Sequence, residues 1–256
     1  AGWPAEQQGE IFHRYILGVY DLYERLTSEF PHILFESCAS GGGRFDPGMF
    51  YYAPQAWTSD DTDGGERIYI QYGTSYGYPL SFMGSHVSIT PNHQVFRETS
   101  LKLRGDVAYF GTFGYELDLG RLPEEEFQQV KEQIKFMKQY RELIQFGTFY
   151  RLLDPFAGNE AAWMVVSPDR KQALVGYYRL MAKTCTPFTL TRLQGLLPEA
   201  EYEVLVEGRQ AMGSFTGSEL MAAGLVTTDE SCGEQKTAEK VACGDFYSRL
   251  FVLQAK

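Results

Sequence analysis

Apolar positions between residues 10 and 29 recur every three or four: Ile11, Phe12, Tyr15, Ile16, Val19, Leu22, Tyr23 and Leu26. That period predicts an amphipathic helix, ended by Pro31. Residues 32–37 follow with a continuous apolar run, Ile33-Leu34-Phe35, rather than an alternating one. Such a run predicts a strand buried on both faces. A short helical stretch is expected near 47–53 and a second strand over 55–59. A helix is expected over 65–76, a third strand over 80–87, a helix over 94–104 and a fourth strand within 108–119. Pro123 and the acids Glu124, Glu125 and Glu126 open a long helix to about Gln145. Pro in the first turn and carboxylates at the positive end of the helix dipole are both start signals. Alternation of strand and helix predicts a parallel sheet.

After Gly147 the texture changes. Short apolar runs at 163–166, 173–178, 188–191, 202–206 and 249–253 are separated by turns such as Pro168-Asp169 and Leu197-Pro198-Glu199. This predicts an all-β sandwich, with a boundary near 147–152: an α/β domain over 1–148 and a β-sandwich domain over 149–256. Four strand–helix units make half of an eight-stranded barrel or a small doubly wound sheet. Polar, chemically able residues end two of the strands, Cys38 with its glycines and Asp60-Asp61, and carboxyl ends of strands carry the chemistry of βα barrels.

Charge narrows the function. The net charge of −10 excludes a basic nucleic-acid face and polybasic membrane attachment. No apolar run approaches the roughly 18 residues needed to span a bilayer. The start, Ala1-Gly2-Trp3, lacks a basic segment followed by an apolar one, as expected of a chain with no signal peptide or of a mature one. Cys38, Cys185, Cys232 and Cys243 show no C-x-x-C spacing, so no zinc ribbon is expected. A Cys232–Cys243 loop disulfide is the lesser alternative to reduced thiols in a cytoplasmic compartment.

Three clusters have residue types suited to chemistry. Ser40-Gly41-Gly42-Gly43-Arg44 follows a strand, but it has neither Gly-Lys-Ser/Thr nor G-x-G-x-x-G, which disfavours a nucleotide site. A loop needing positive φ is the plain explanation, and close approach of a sugar to the backbone is the functional one. In Trp57-Thr58-Ser59-Asp60-Asp61-Thr62-Asp63 the acids lack calcium-loop spacing, and Asp63 is placed to cap the helix that follows. Asp60 is expected at a strand end beside Trp57. A carboxyl partly desolvated by an aromatic wall has its pKa raised, as a general acid requires, and the indole can stack on a sugar. His86 is expected to end a strand and His93 lies seven residues on; with no fixed acid they favour hydrogen-bonded structural roles over a metal site. A Cys38–His86 nucleophile pair is a remote alternative. No metal and no cofactor is expected.

Taken together, these stretches resemble glycoside hydrolase family 36, α-galactosidases of the melibiase and raffinase type. The resemblance rests on residues 30–49, on residues 57–63, on Met83-Gly84-Ser85-His86-Val87 and on residues 110–117. Late in the chain it rests on Gly217-Ser218-Glu219-Leu220-Met221 and Gly244-Asp245-Phe246-Tyr247-Ser248-Arg249-Leu250-Phe251. It implies the second half of a (β/α)8 barrel, strands five to eight, followed by a β-sandwich. It also implies a retaining hydrolase that releases α-linked galactose from melibiose, raffinose and related oligosaccharides. By the same resemblance Asp60 is the acid/base, and Cys38, Gly41 and Trp57 border the galactose.

The family's nucleophile lies in a Lys-Trp-Asp-Met-Asn-Arg segment, and this sequence has none. The resemblance therefore implies that the nucleophile and strands one to four lie outside this polypeptide. Retention needs two carboxyls roughly 5–5.5 Å apart, so Asp60 cannot act alone. The expected partners are α-galactoside oligosaccharides and either the missing barrel half or a second copy of the chain. The isolated chain is expected to be inactive. The alternative is a non-catalytic fragment that binds sugar or self-associates.

Overall fold

The computed structural model describes residues 2–184, 188–228 and 244–256. The chain forms two compact units, Ala1–Asp60 and Asp61–Lys256.

In the first unit, α1 (Glu10–Glu29) is the expected amphipathic helix, yet none of its residues is buried. Helix α2 (Pro47–Tyr52) starts at Asp46, whose carboxylate accepts the Gly48 and Met49 amides and the Tyr20 hydroxyl of α1. One carboxylate thus caps a helix and ties it to its neighbour. Strands β1 (Glu36–Ser37) and β2 (Gln55–Trp57) pair in parallel, Glu36 opposite Gln55 and Ser37 opposite Ala56. The expected strand over 32–37 is therefore mostly absent. Pro31 and His32 form a turn, the Ile33 amide donates to the Phe30 carbonyl, and Ile33 and Leu34 are 54% and 87% exposed. The apolar run is real, but only the two residues after it, Glu36 and Ser37, are paired.

The second unit begins with α3 (Gly64–Thr74), capped by Asp63 as the sequence predicts. Strands β3 (Met83–Ser88) and β4 (Thr112–Glu116) pair in parallel from Gly84–Thr112 to Ser88–Glu116. Between them α4 (Leu101–Ala108) starts seven residues later than the expected 94, because Ser100 caps it and residues 92–97 close a separate loop on Asn92. The long helix α5 (Glu124–Phe146) starts after Pro123 with all three glutamates in its first turn. Val87, Leu101, Ala108 and Val130 form a core among β3, α4 and α5.

Beyond α5 lies an antiparallel sheet of β5 (Thr148–Leu153), β6 (Glu160–Val166), β7 (Gln172–Arg179), β9 (Glu201–Val206), β10 (Gln210–Thr216) and β12 (Tyr247–Ala255), in the order β10-β9-β12-β7-β6-β5. A separate pair joins β8 (Leu190–Thr191) to β11 (Leu225–Val226). Sequence periodicity misses β5, β10, β11 and the short helix α6 (Gly217–Ala222). One sheet face packs Ala162, Met164, Val175 and Phe251 against Leu193, Leu196, Leu220 and Leu225. On the other, Trp163 lies 4.6 Å from Tyr178 and 5.8 Å from Phe110, ring centroid to centroid. The Tyr178 hydroxyl donates to the Asp106 carbonyl of α4 at 2.8 Å. Cover on both faces explains why β6 and β7 read as unbroken apolar runs.

Candidate active site

In the first unit Cys38 follows β1, and Asp60 comes three residues after the end of β2. The expectation that β2 reaches Asp60 is corrected: the strand ends at Trp57, and Asp60 sits on the loop beyond it. Cys38 is exposed and not in a disulfide. Its carbonyl accepts from Arg44 Nη2 at 2.9 Å, while Arg44 Nη1 donates to the Tyr15 hydroxyl of α1 at 3.1 Å. The arginine therefore pins the glycine loop between its own start and the helix.

The loop passes through Ser40 and Gly41 with φ of 50° and 70°. A Cβ at Gly41 would lie 2.5 Å from Ser59 Cα and 2.7 Å from the Asp60 nitrogen. The positive φ is the plain explanation of the glycine, and the backbone also needs close approach here, though of protein rather than of a sugar. What approaches is the main chain that carries Asp60. The two motifs, far apart in sequence, are thus in van der Waals contact.

The three carboxylates of the acidic cluster divide. Asp63 is 1% exposed and accepts the Gly65 and Glu66 amides at 2.9 and 3.1 Å. Asp61 accepts the Asp63 amide at 3.1 Å. Asp60 is exposed, so the aromatic wall expected to desolvate it does not enclose it in this chain. Trp57 is 7% exposed and packed rather than presented.

The histidines do not gather. His86 lies inside β3 rather than at its end, with Nδ1 4.0 Å from Glu116 Oε2 on β4, and His93 is exposed on a loop. Among the described residues no three His, Cys, Asp or Glu side chains are grouped as metal ligands. Cys185, Cys232 and Cys243 lie outside the described residues, and with them the pairing considered for Cys232 and Cys243.

A cavity of about 370 Å³ lies elsewhere, lined by Lys102, Asp106, Tyr109, Glu132, Glu207 and Arg209 among others. Apart from Glu125, its charged side chains are paired with one another. Lys102 Nζ reaches Asp106, Glu207 and the Ser248 carbonyl, and Arg209 pairs with Glu132. Burial pushes the Asp106 carboxyl up to about 6 against the pull of Lys102. Lys102 is raised, because Asp106 and Glu207 outweigh its own desolvation. The carboxyl is the more deeply enclosed group, so burial dominates its protonation. An ion-paired cluster of this kind ties α4 to the antiparallel sheet.

Residues 1–147 match the melibiase family, and residues 160–253 match the glycosyl hydrolase family 36 C-terminal domain. The chain belongs to glycoside hydrolase family 36, the α-galactosidase family. Over 222 residues it is 57% identical to α-galactosidase AgaA of Geobacillus stearothermophilus, covering 87% of this chain and 30% of that enzyme. It is 44% identical over 252 residues to α-galactosidase Mel36A of Lactobacillus acidophilus, covering 98% and 32%. A crystal structure of a variant family 36 AgaA in complex with raffinose superposes with a TM-score of 0.88 at 52% identity, over 100% of this chain and 33% of that one. Another AgaA variant, in complex with stachyose, gives the same TM-score. The chain thus spans about a third of the length of its family 36 relatives. Arg44 anchors the glycine loop, but nothing in sequence spacing shows that its partners are Cys38 and Tyr15.

Proposed function

We propose that this chain supplies the acid/base half of a retaining α-galactosidase site acting on melibiose- and raffinose-type oligosaccharides. In this reading residues 1–148 are strands five to eight of a (β/α)8 barrel, and residues 149–256 form the β-sandwich. Asp60 protonates the glycosidic oxygen as the galactosyl bond breaks, then takes a proton from the water that releases galactose. Cys38, Gly41 and Trp57 border the sugar. The observation that carries the reading is the seating of Gly41 on the Ser59–Asp60 backbone, which brings the sugar-binding and acid/base motifs together. The raffinose and stachyose complexes of AgaA support the substrate class. The nucleophile and the cover that encloses Asp60 come from the remaining two-thirds of the enzyme. A cytoplasmic setting is part of the same reading and rests on sparse cysteine usage.

The test mixes this chain with a polypeptide carrying the rest of the barrel and follows raffinose hydrolysis. Activity is expected from the mixture and none from the chain alone. In the mixture Asp60→Asn should lower raffinose turnover by about 10²–10⁴-fold, the range of general acid–base catalysis. Activated aryl galactosides should lose less, with partial rescue by azide. Raffinose turnover within a few-fold of wild type would refute the assignment.

A second reading, a self-associating fragment without catalysis, is favoured by exposed Phe12, Ile33, Leu34 and Tyr51 in the first unit. Sedimentation of the pure chain separates the two. A dimer that the complementing polypeptide does not dissociate supports self-association.

A further inference from the structure

Strand β4 ends the parallel sheet. It pairs with β3 on one side, and among the described residues no strand pairs with it on the other. Burial marks the difference: β3 is buried at five of its six positions, whereas β4 is buried at none of its five. In a parallel strand every second residue turns its N–H and C=O to the same side, so half of the backbone groups of β4 face away from β3. The core beside it is open as well. Phe113, Tyr115, Leu117, Leu122 and Ile134 pack against Val87, Leu101, Ala108 and Val130, yet each keeps part of its surface uncovered.

A cavity of about 320 Å³ lies between β4 and α5, lined by Thr112 and Phe113 from the strand and by Ile134, Met137, Lys138 and Arg141 among others from the helix. Phe113 and Ile134 belong to both features: they pack on the core and they line the cavity. Phe113 is held by stacking on Tyr109, 5.2 Å between centroids, and by the edge of Tyr115 at 5.3 Å. The Tyr115 hydroxyl in turn donates to Gln133 Oε1 of α5 at 2.8 Å. The apolar wall carries two cations. Lys138 and Arg141 are exposed, about one turn apart on α5, and neither forms an ion pair with a described residue. By contrast Arg97, Lys102, Arg121, Arg209 and Lys256 in the same unit all sit against carboxylates.

An open strand edge, a half-covered core flank and an apolar cavity against the last helix are the surfaces that a further parallel strand–helix unit covers. This chain covers only 30% of AgaA, so its relatives hold further polypeptide to supply one. We propose that β4 and the adjoining face of α5 dock a strand–helix unit from the remaining two-thirds of the enzyme, and that this unit sets carboxylates against Lys138 and Arg141. Its strand extends the sheet in parallel past β4, and its helix lies beside α5 over Phe113 and Ile134. The cations fix the register. A slip of two residues keeps every side chain on its own face, so the backbone edge alone discriminates weakly, whereas apposed charges reward one alignment. The inference rests on the proposed reading that the rest of the enzyme completes a barrel with this chain.

The test mixes this chain with a polypeptide carrying the remaining two-thirds of the enzyme. Association is measured by sedimentation, and amide exchange is followed along β4. In the complex the outward-facing amides of residues 112–116 should exchange about 10-fold more slowly or better than in the chain alone. Lys138→Glu and Arg141→Glu should each weaken association by about 10-fold, and the double variant by about 10²-fold, because each sets like charges face to face. Lys135→Glu, on the same helix but outside the cavity, should change it by less than about 3-fold. Added salt should weaken the wild-type complex more than that of the double variant. Equal effects of the three reversals, or β4 amides that exchange as fast in the complex as in the chain alone, would overturn the inference. So would a failure of the two polypeptides to associate. Protection of β4 that grows with the concentration of the pure chain would make a second copy the occupant and overturn it too. A complex protected along β4 that hydrolyses no raffinose would refute the α-galactosidase reading and leave the docking surface standing. An active complex with β4 unprotected would do the reverse.

Discussion

Replacing Gly41 with alanine tests the contact that joins the two motifs. The added Cβ would meet Ser59 Cα at 2.5 Å and the Asp60 nitrogen at 2.7 Å. Carbon contacts rest at about 3.5–4.0 Å, so one backbone must move by about 1 Å. Both partners are main chain, and no side chain can rotate out of the way. The positive φ of 70° adds about 1–2 kcal/mol for a residue with a Cβ. Overpacking of a close contact adds about 1–3 kcal/mol more if the structure does not yield. Two outcomes bracket the expectation. If the loops hold, the chain loses about 2–5 kcal/mol of stability, read as a lower urea midpoint. If they part, Asp60 shifts by about 1 Å and reconstituted raffinose turnover falls by up to about 10²-fold. Gly73→Ala is the control. Gly73 lies in α3 with nothing within 4 Å of its Cβ position, so alanine there should stabilise by about 0.5–1 kcal/mol. Gly41→Ala with wild-type stability and wild-type turnover would refute the packing argument.

Thr216→Ala should cost about 1 kcal/mol, because Thr216 and Glu219 form a reciprocal capping box at the start of α6; thermal unfolding measures it, and an unchanged midpoint contradicts it. Asp106 links stability to pH. Its folded value, pushed up to about 6 by burial, exceeds the unfolded value of about 3.9. Its contribution is therefore full below about pH 4 and is lost as pH rises through 6. Urea midpoints at pH 5 and 7.5 should differ less in Asp106→Asn than in wild type; equal differences count against the assignment. Cys38, exposed and not in a disulfide, should be alkylated without reductant; mass spectrometry showing it protected in the native chain would contradict that exposure.

Local signals in the sequence determined a good deal. The three-to-four period of α1, the glutamates after Pro123 and the Asp63 cap depend on neighbours within about one helical turn, and all three stand in the structure. The Thr216-x-x-Glu219 box is equally local. Strand β10 was less legible, because a register shift between Ala211 and Gly213 breaks the alternation that marks a strand. The motifs of family 36 were readable as residue types, and so was the expectation of a site at Cys38, Gly41, Trp57 and Asp60. Tertiary structure alone decided how those residues relate. It showed that residues 33–35 join no strand although they are apolar, since pairing depends on which strand is at hand and not on hydrophobicity. It placed Gly41 against the backbone of Asp60, and it enclosed Asp63 while leaving Asp60 exposed. It also brought Phe246 to Arg97 across 149 positions of sequence. Such contacts depend on where distant segments pack, which no local period encodes.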